Sequence, residues 1–433
     1  MREADIKRRP EPLASLIVGL PFHHTTMEEA LRDYTSIMQG DRSEYWITAN
    51  VDFATRAPAD PILKDLVFHA DRVFCDGLPL VWLSKIFGRP LPERVAGSDM
   101  VPKLLEASAN EGYRVYFLGS DKETLSRASQ IATERYPGLQ IAGQHAPPIA
   151  HVHEWDNEHI ISEIAASRTD LVLVAVGSPK QERWISGYLD RTGAKLAIGI
   201  GASLDFIAGS QTRAPVWVQR VGFEWLWRML TDPKRLAKRY ASNFSYLGGA
   251  AFAQWRAYRK KYPVESPMEE PSPPGTIDLA STAELTPAIL ADCVTKLRTA
   301  RRNGAPAPGI LASRELKLEL KKLGLMPPLR DANEQAEASS AIGLERNESG
   351  CQVKAPRTWR LGAWDNALES GVPVEIDLKQ TRFIDYPTLL RLNDLKLKLE
   401  KQKVSLKIVS AMPELEKLVG ALGFSELLEG SHA

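Results

Sequence analysis

Residues 72–99 read R-V-F-C-D-G-L-P-L-V-W-L-S-K-I-F-G-R-P-L-P-E-R-V-A-G-S-D, and the reading of this stretch decides the fold. A short apolar run, Val73 to Cys75, stops at Asp76-Gly77 and gives way to a helical pattern with apolar residues at Leu78, Val81, Trp82 and Ile86. A strand that delivers a carboxylate onto a turn before a helix places it at the carboxyl edge of a sheet, where open α/β folds bind ligands. Asp-Gly is also an ordinary turn pair, and the stretch alone leaves both readings open. About one helix later comes a second charged turn, Pro92-Glu93-Arg94. An acid and a base on neighbouring loops point to a site.

Outward from this unit the same alternation recurs. Strand-like runs at 13–20, 45–51, 113–118, 139–142, 171–176 and 195–200 are separated by helical patterns, the first of them opened by Thr25-Thr26 and Glu28-Glu29 as cap and acidic first turn. This predicts an α/β fold, a Rossmann-like and mostly parallel sheet with helices on both faces. Several strands end in chemistry: Thr48, Asn50 and Asp52; Gly119-Ser120; G-S-P-K-Q-E at 177–182; and G-I-G-A-S-L-D at 199–205. Glycines such as Gly177 and Gly201 let backbone approach a ligand, and the helix that follows offers unpaired N–H groups to a phosphate. Gly199 and Gly201 serve equally for tight strand-to-helix packing. The 199–205 turn is not G-x-G-x-x-G, and no G-x-x-x-x-G-K-[ST] occurs, which disfavours dehydrogenases and P-loop enzymes.

At 433 residues two or three domains are expected. Lys and Arg (55) balance Asp and Glu (54), so no bulk charge selects a polyanionic partner, and no nucleic-acid module is recognised. Cys75, Cys293 and Cys351 lack metal-ligand spacing and suit a reducing compartment. No apolar signal core opens the chain and no apolar run approaches the ~20 residues of a membrane span, so a cytoplasmic protein is expected. His145, His151, His153 and His159 cluster near Pro147 and Pro148. With no cysteine or carboxylate at firm spacing, a polar surface loop is the better reading than a metal site. There is no D-x-D triplet, which favours a site without metal or other cofactor.

From Arg213 to Lys261 eleven Lys or Arg stand against two acids, with aromatics interleaved, among them Trp217, Trp225, Trp227 and Trp255. Basic helices with interfacial aromatics describe a segment that lies on an anionic bilayer; a helix packed on its own domain is the competing reading. A Pro-rich linker, E-S-P-M-E-E-P-S-P-P-G, follows. Beyond it I-D-L recurs at 277–279 and 376–378, each time followed by a Pro-bearing turn, a Lys- and Leu-bearing helix, a short apolar run and L-G. Asp278 to Gly324 and Asp377 to Gly423 both span 46 residues, which indicates a tandem duplication.

T-A-N (48–50), C-D-G (75–77), P-E-R-V-A-G-S-D (92–99), G-S-P-K-Q-E, G-I-G-A-S-L-D and R-A-P-V-W-V-Q-R-V-G-F-E-W-L-W-R (213–228) stand in the order seen in the WecG/TagA/CpsF glycosyltransferases, which the chain resembles over roughly residues 13–250. The resemblance implies inverting, metal-independent transfer of a hexose or N-acetylhexosamine from a UDP-sugar to a polyprenyl-diphosphate-linked saccharide at the inner face of the cytoplasmic membrane. It makes Asp76 the general base and Thr48, Asn50, Arg94 and Gln181 its active-site companions. Arg213, Arg220 and Arg228 are the matching candidates for the acceptor diphosphate. From the residues themselves, Gly177, Lys180 and Gly201 are candidates for the donor, and Asp205 either holds ribose hydroxyls or caps a helix.

Residues 350–430 resemble a STAS domain, through V-E-I-D-L-K-Q-T-R-F-I-D-Y-P-T-L-L and the final L-G-F. Where antagonists of that family carry a phosphorylatable serine after the aspartate matching Asp385, this chain has Tyr386 and Pro387, with Thr388 a weak substitute; a docking module for a protein partner is expected. The expected organisation is a core over 1–210, a basic appendage over 211–262, a linker over 263–276, a divergent STAS-like repeat over 277–330, a flexible spacer over 331–349 and a STAS-like domain over 350–433. The rival reading is a scaffold that binds nucleotide sugar, turns over weakly and acts through its STAS-like region.

Overall fold

A computed structural model describes residues 13–211, 214–215, 218, 224–231, 233–263, 276–302, 308–325, 330–331, 343–347, 350–355, 358–359, 368, 372–381 and 383–428. Its chain falls into two compact units, one formed by residues 1–39, 46–107 and 209–332 and the other by 40–45, 108–208 and 333–433.

The run at 13–20, expected as one strand, is a hairpin. Strands β1 (Ala14–Ile17) and β2 (Leu20–His23) pair antiparallel. Val18 and Gly19, both at positive φ, form the turn between them, and Gly is the residue that takes such a turn without strain. Helix α1 (Met27–Met38) starts with the expected capping box between Thr26 and Glu29. There follow β3 (Glu44–Ala49), α2 (Val51–Arg56), α3 (Pro61–His69), β4 (Arg72–Cys75), α4 (Leu78–Ile86), α5 (Gly97–Glu111), β5 (Arg114–Gly119), α6 (Lys122–Arg135), β6 (Gln140–His145), α7 (Asn157–Ala166), β7 (Leu171–Ala175), α8 (Lys180–Thr192), β8 (Leu196–Gly199) and α9 (Ser203–Ala208). Strands β3 to β8 make one six-stranded sheet in the order β4-β3-β8-β7-β5-β6. The pairs β3–β4, β5–β6, β5–β7 and β7–β8 are parallel. Strand β7, L-V-L-V-A, is buried at every position, as a strand covered on both faces must be. The edge strand β6 buries none of its residues fully.

The basic appendage is helical where described, over Glu224–Thr231 and Pro233–Ala257. The longer helix is fixed within its unit by two buried amides. Gln254 accepts from Val18 N and donates to Leu16 O, while Asn243 accepts from Thr55 and donates to Asp52.

The two C-terminal segments share one plan. The first runs β9 (Thr276–Asp278), helix Pro287–Arg302, β10 (Gly309–Leu311), helix Arg314–Lys322 and β11 (Arg330–Asp331), with a parallel sheet in the order β11-β10-β9. The second adds a hairpin, β12 (Gly343–Asn347) and β13 (Gly350–Lys354), and the short parallel pair β14 (Thr358–Trp359) and β16 (Phe383–Ile384). Its repeat proper is β15 (Val374–Asp377), helix Tyr386–Lys401, β17 (Leu406–Ser410) and helix Pro413–Ala421. Both ends of both helices lie 99 residues beyond their counterparts. Gly324 and Gly423, at φ +85° and +89°, close the second helix of each copy. Strand β12 falls inside the stretch expected as a flexible spacer over 331–349, because its residues find pairing partners on β13.

Candidate active site

In the first unit, β4 ends as expected in Asp76, whose backbone N–H donates to Ala49 O at 2.9 Å at the end of β3. Gly77 is the N-cap of α4 and brings no side-chain cap. Arg94 folds back on this turn. Its Nη1 donates to Asp76 Oδ1 at 3.2 Å and its Nη2 to Asp99 Oδ2 at 2.6 Å, with all three side chains between 17% and 33% exposed. One guanidinium thus orients two carboxylates, the bidentate geometry at which Arg excels. Asp99, in the first turn of α5, is a site residue that sequence reasoning missed, although it stands five residues after Arg94. Glu93 acts elsewhere, since its carboxylate accepts from Met27 N at the start of α1, a fixed anion at a helix N-terminus.

Thr48 sits on β3 against the N-terminus of α5. A Cβ built on Gly97 would come within 3.0 Å of Thr48 Oγ1, so the glycine of A-G-S-D permits that approach. Asn50 is the N-cap of α2, and its Oδ1 accepts from Asp52 N at 3.0 Å. Cys75, behind Asp76, is buried and its thiol is pushed far up by desolvation and by the Asp76 charge, which makes it an inert wall.

In the second unit, β7 leads through Gly177, at φ +77°, to α8, which begins at Lys180 with no side-chain cap. Gln181 is 5% exposed. It donates to Glu182 Oε1 at 2.8 Å and accepts from Gly201 N at 3.2 Å, and a Cβ on Gly199 would lie 2.5 Å from its Nε2. Gly199 and Gly201 therefore form a seat for Gln181. That corrects the phosphate cradle expected of Gly201: its N–H is already given to a side chain, and Ser203 N donates to Ile200 O. Asp205 lies in the first turn of α9, not at its cap, and accepts from Ser120 Oγ at 3.4 Å.

Arg213 and Arg220 lie outside the described residues; Arg228 lies on the helix Glu224–Thr231. A cavity of about 520 Å3 in the first unit, lined among others by Val18, Lys64, Tyr246 and Lys321, holds none of the residues identified from sequence. The histidines do not form the single polar loop expected. His151 and His153 stack on each other, His153 against Phe424 of the second repeat, while His145 and His159 converge elsewhere.

Residues 15–261 match the WecG/TagA/CpsF glycosyl transferase family. The chain belongs to this family. Its WecG/TagA/CpsF portion thus covers the six-stranded sheet, both groups of site residues and the appendage helices, and it marks the protein as a glycosyltransferase. An N-acetylglucosaminyldiphosphoundecaprenol N-acetyl-beta-D-mannosaminyltransferase of Bacillus spizizenii is 32% identical over 201 residues, 46% of this chain and 76% of that protein. Proteins of the same description from Staphylococcus aureus strains MRSA252 and NCTC 8325 are 27% and 26% identical over 224 residues, 51% of this chain and 86% of each.

Proposed function

We propose that this glycosyltransferase moves a hexose or N-acetylhexosamine, N-acetylmannosamine before others, from a UDP-sugar to a polyprenyl-diphosphate-linked saccharide in cell-surface polysaccharide synthesis, with inversion. The observation that carries the reading is the Asp76–Arg94–Asp99 cluster at the end of β4. The named substrates of the relatives supply the acceptor class. In an inverting displacement the acceptor hydroxyl attacks the anomeric carbon opposite the departing diphosphate, and a positioned carboxylate takes its proton. Arg94 holds Asp76 in one orientation for that step, with Asn50 and Thr48 shaping the neighbouring turn. Lys180 and the N-terminus of the thirteen-residue α8 suit the charge that grows on the leaving diphosphate. Arg228, with Arg213 and Arg220, is assigned to the acceptor diphosphate, and Gln181 and Asp205 to the donor. The chain's own cations, not a metal, carry the diphosphate in this proposal.

Peripheral binding to the inner membrane face belongs to the same reading. Among the described residues no helix is long and apolar enough to cross a membrane. Trp82 and Ile86 on α4 are 48% and 64% exposed, and Phe252 and Trp255 on the appendage helix 61% and 38%. Phe87 and Tyr258 join these helices at a centroid distance of 6.0 Å, and Arg259 lies over the Trp255 ring at 4.3 Å. Exposed aromatics beside cations are the composition of an interfacial surface. The C-terminal copies are proposed as STAS-like docking modules for a protein partner. Phosphorylation has no part in this, because Thr388 is fully buried and both its N–H and its hydroxyl donate to Asp385.

The test is transfer from UDP-N-acetylmannosamine and other UDP-sugars to a polyprenyl-diphosphate-linked N-acetylglucosamine, with and without chelator. Asp76→Asn is expected to lower kcat by about 100-fold or more while UDP binding persists, and chelator to leave the rate unchanged. Wild-type turnover in Asp76→Asn would remove Asp76 from the mechanism.

A further inference from the structure

We propose that His145, His159 and Glu163 form a binding site for a divalent metal of the zinc class, separate from the transfer chemistry. The three side chains come from the end of β6 and from one face of α7, where His159 and Glu163 stand at i and i+4. Their ligand atoms all lie within 4.8 Å of one another. His145 Nδ1 is 2.9 Å from Glu163 Oε2, and His159 Nε2 is 3.5 Å from Glu163 Oε1. A tetrahedral zinc with bonds of about 2.1 Å sets its ligand atoms roughly 3.4 Å apart, so modest side-chain adjustment around a common centre satisfies the ion. Two imidazoles and one carboxylate are a borderline donor set that suits zinc above magnesium or calcium, and three protein ligands leave a fourth position to water.

A supporting group is already in place. Tyr116, 2% exposed on β5, donates from its hydroxyl to Glu163 Oε2 at 3.3 Å, the kind of outer contact that orients a ligating carboxylate. Its ring reaches there because its cross-strand neighbour on β6 is Gly143; a Cβ at that position would lie 2.6 Å from the ring. The location also gives the ion a structural role. Edge strand β6 buries no residue fully, and a metal bridging His145 to α7 ties down the end of the strand that burial holds least.

The untagged full-length protein, stripped of metal and dialysed, is titrated with Zn2+ by calorimetry and with Co2+ by visible absorption. One ion per chain is expected, with a rise in melting temperature on Zn2+ addition. His159→Ala and Glu163→Ala should each weaken binding more than 10-fold and abolish that rise, Tyr116→Phe should weaken it by about 10-fold, and His151→Ala should change nothing. Absence of stoichiometric uptake overturns the proposal. So does uptake unchanged in His159→Ala and Glu163→Ala, or uptake lost in His151→Ala.

Discussion

The two C-terminal copies have the same skeleton and opposite ways of attaching it. The first copy merges with its unit. Leu285, Leu290, Val294, Leu297, Ile310, Leu316 and Leu320 pack in one cluster with Ala14 and Leu16 of β1 and Phe68 of α3. Arg298, 4% exposed, donates to the carbonyls of Phe68, Ala70 and Asp71, a cation on the C-terminus of α3. The position 99 residues on is Leu397, 46% exposed. The second copy meets its unit through mixed chemistry: Leu390 seated on Gly187, Arg183 over the Tyr386 ring at 5.3 Å, His153 against Phe424, and Asp394 beside Tyr188 and Arg191. One scaffold thus serves once as an extension of the core and once as a docked module, and the difference resides in the outward face of the long helix.

The strongest way to break this contrast is Leu297→Ala. Leu297 is fully buried, and the cavity should cost about 2–5 kcal/mol, lowering the unfolding midpoint of the first unit in chemical denaturation. If the loss is confined to the first copy, the shared core is disproved.

Asp394→Asn sharpens the contrast through pH. Burial first, with Arg191, Glu158 and Arg391 as charged neighbours, pushes the Asp394 carboxyl up to about 6 from its ordinary 3.8. A group whose folded pKa is raised stabilises the fold fully below the unfolded value, and that contribution is lost as pH rises through the folded one. Stability should therefore fall between about pH 4 and 6 and stay level above, at a cost of up to about 3 kcal/mol. The asparagine variant should lose this dependence and be the more stable protein at pH 7.5, as compared by urea melts at pH 4.5 and 7.5. Identical pH profiles would remove Asp394 from the interface energetics. The smallest effect is Arg183→Ala, which gives up a cation–π contact of about 1 kcal/mol and should speed proteolytic release of the second copy while leaving the first intact.

Much of this architecture is legible in the residues. Continuous apolar runs such as Leu171–Ala175 announce buried parallel strands, Thr26 and Glu29 announce a helix start, and the 46-residue spacing announces the repeat, because each depends on neighbours in sequence. Asp76 at a strand end is visible for the same reason. What escapes depends on topology. Asp99 matters because Arg94 folds back between it and Asp76. Glu163 joins His145 only because β6 and α7 bring residues eighteen apart together. Gly201 reads as an anion seat since nothing local shows that Gln181, twenty residues earlier, takes its N–H. The hairpin at Val18-Gly19 is hidden by the apolar residues on both sides of its turn.

The cap that Arg298 places on α3 bears on where this enzyme can be cut. The family match stops at residue 261, yet Ala14, Leu16 and Phe68 are covered by side chains from 285 onward, and the last carbonyls of α3 are answered by residue 298. A fragment ending at the family boundary would open that apolar seam to water and strand the helix end. In this chain the smallest autonomous transferase extends through the first repeat, near residue 325, so homology and foldability draw different borders.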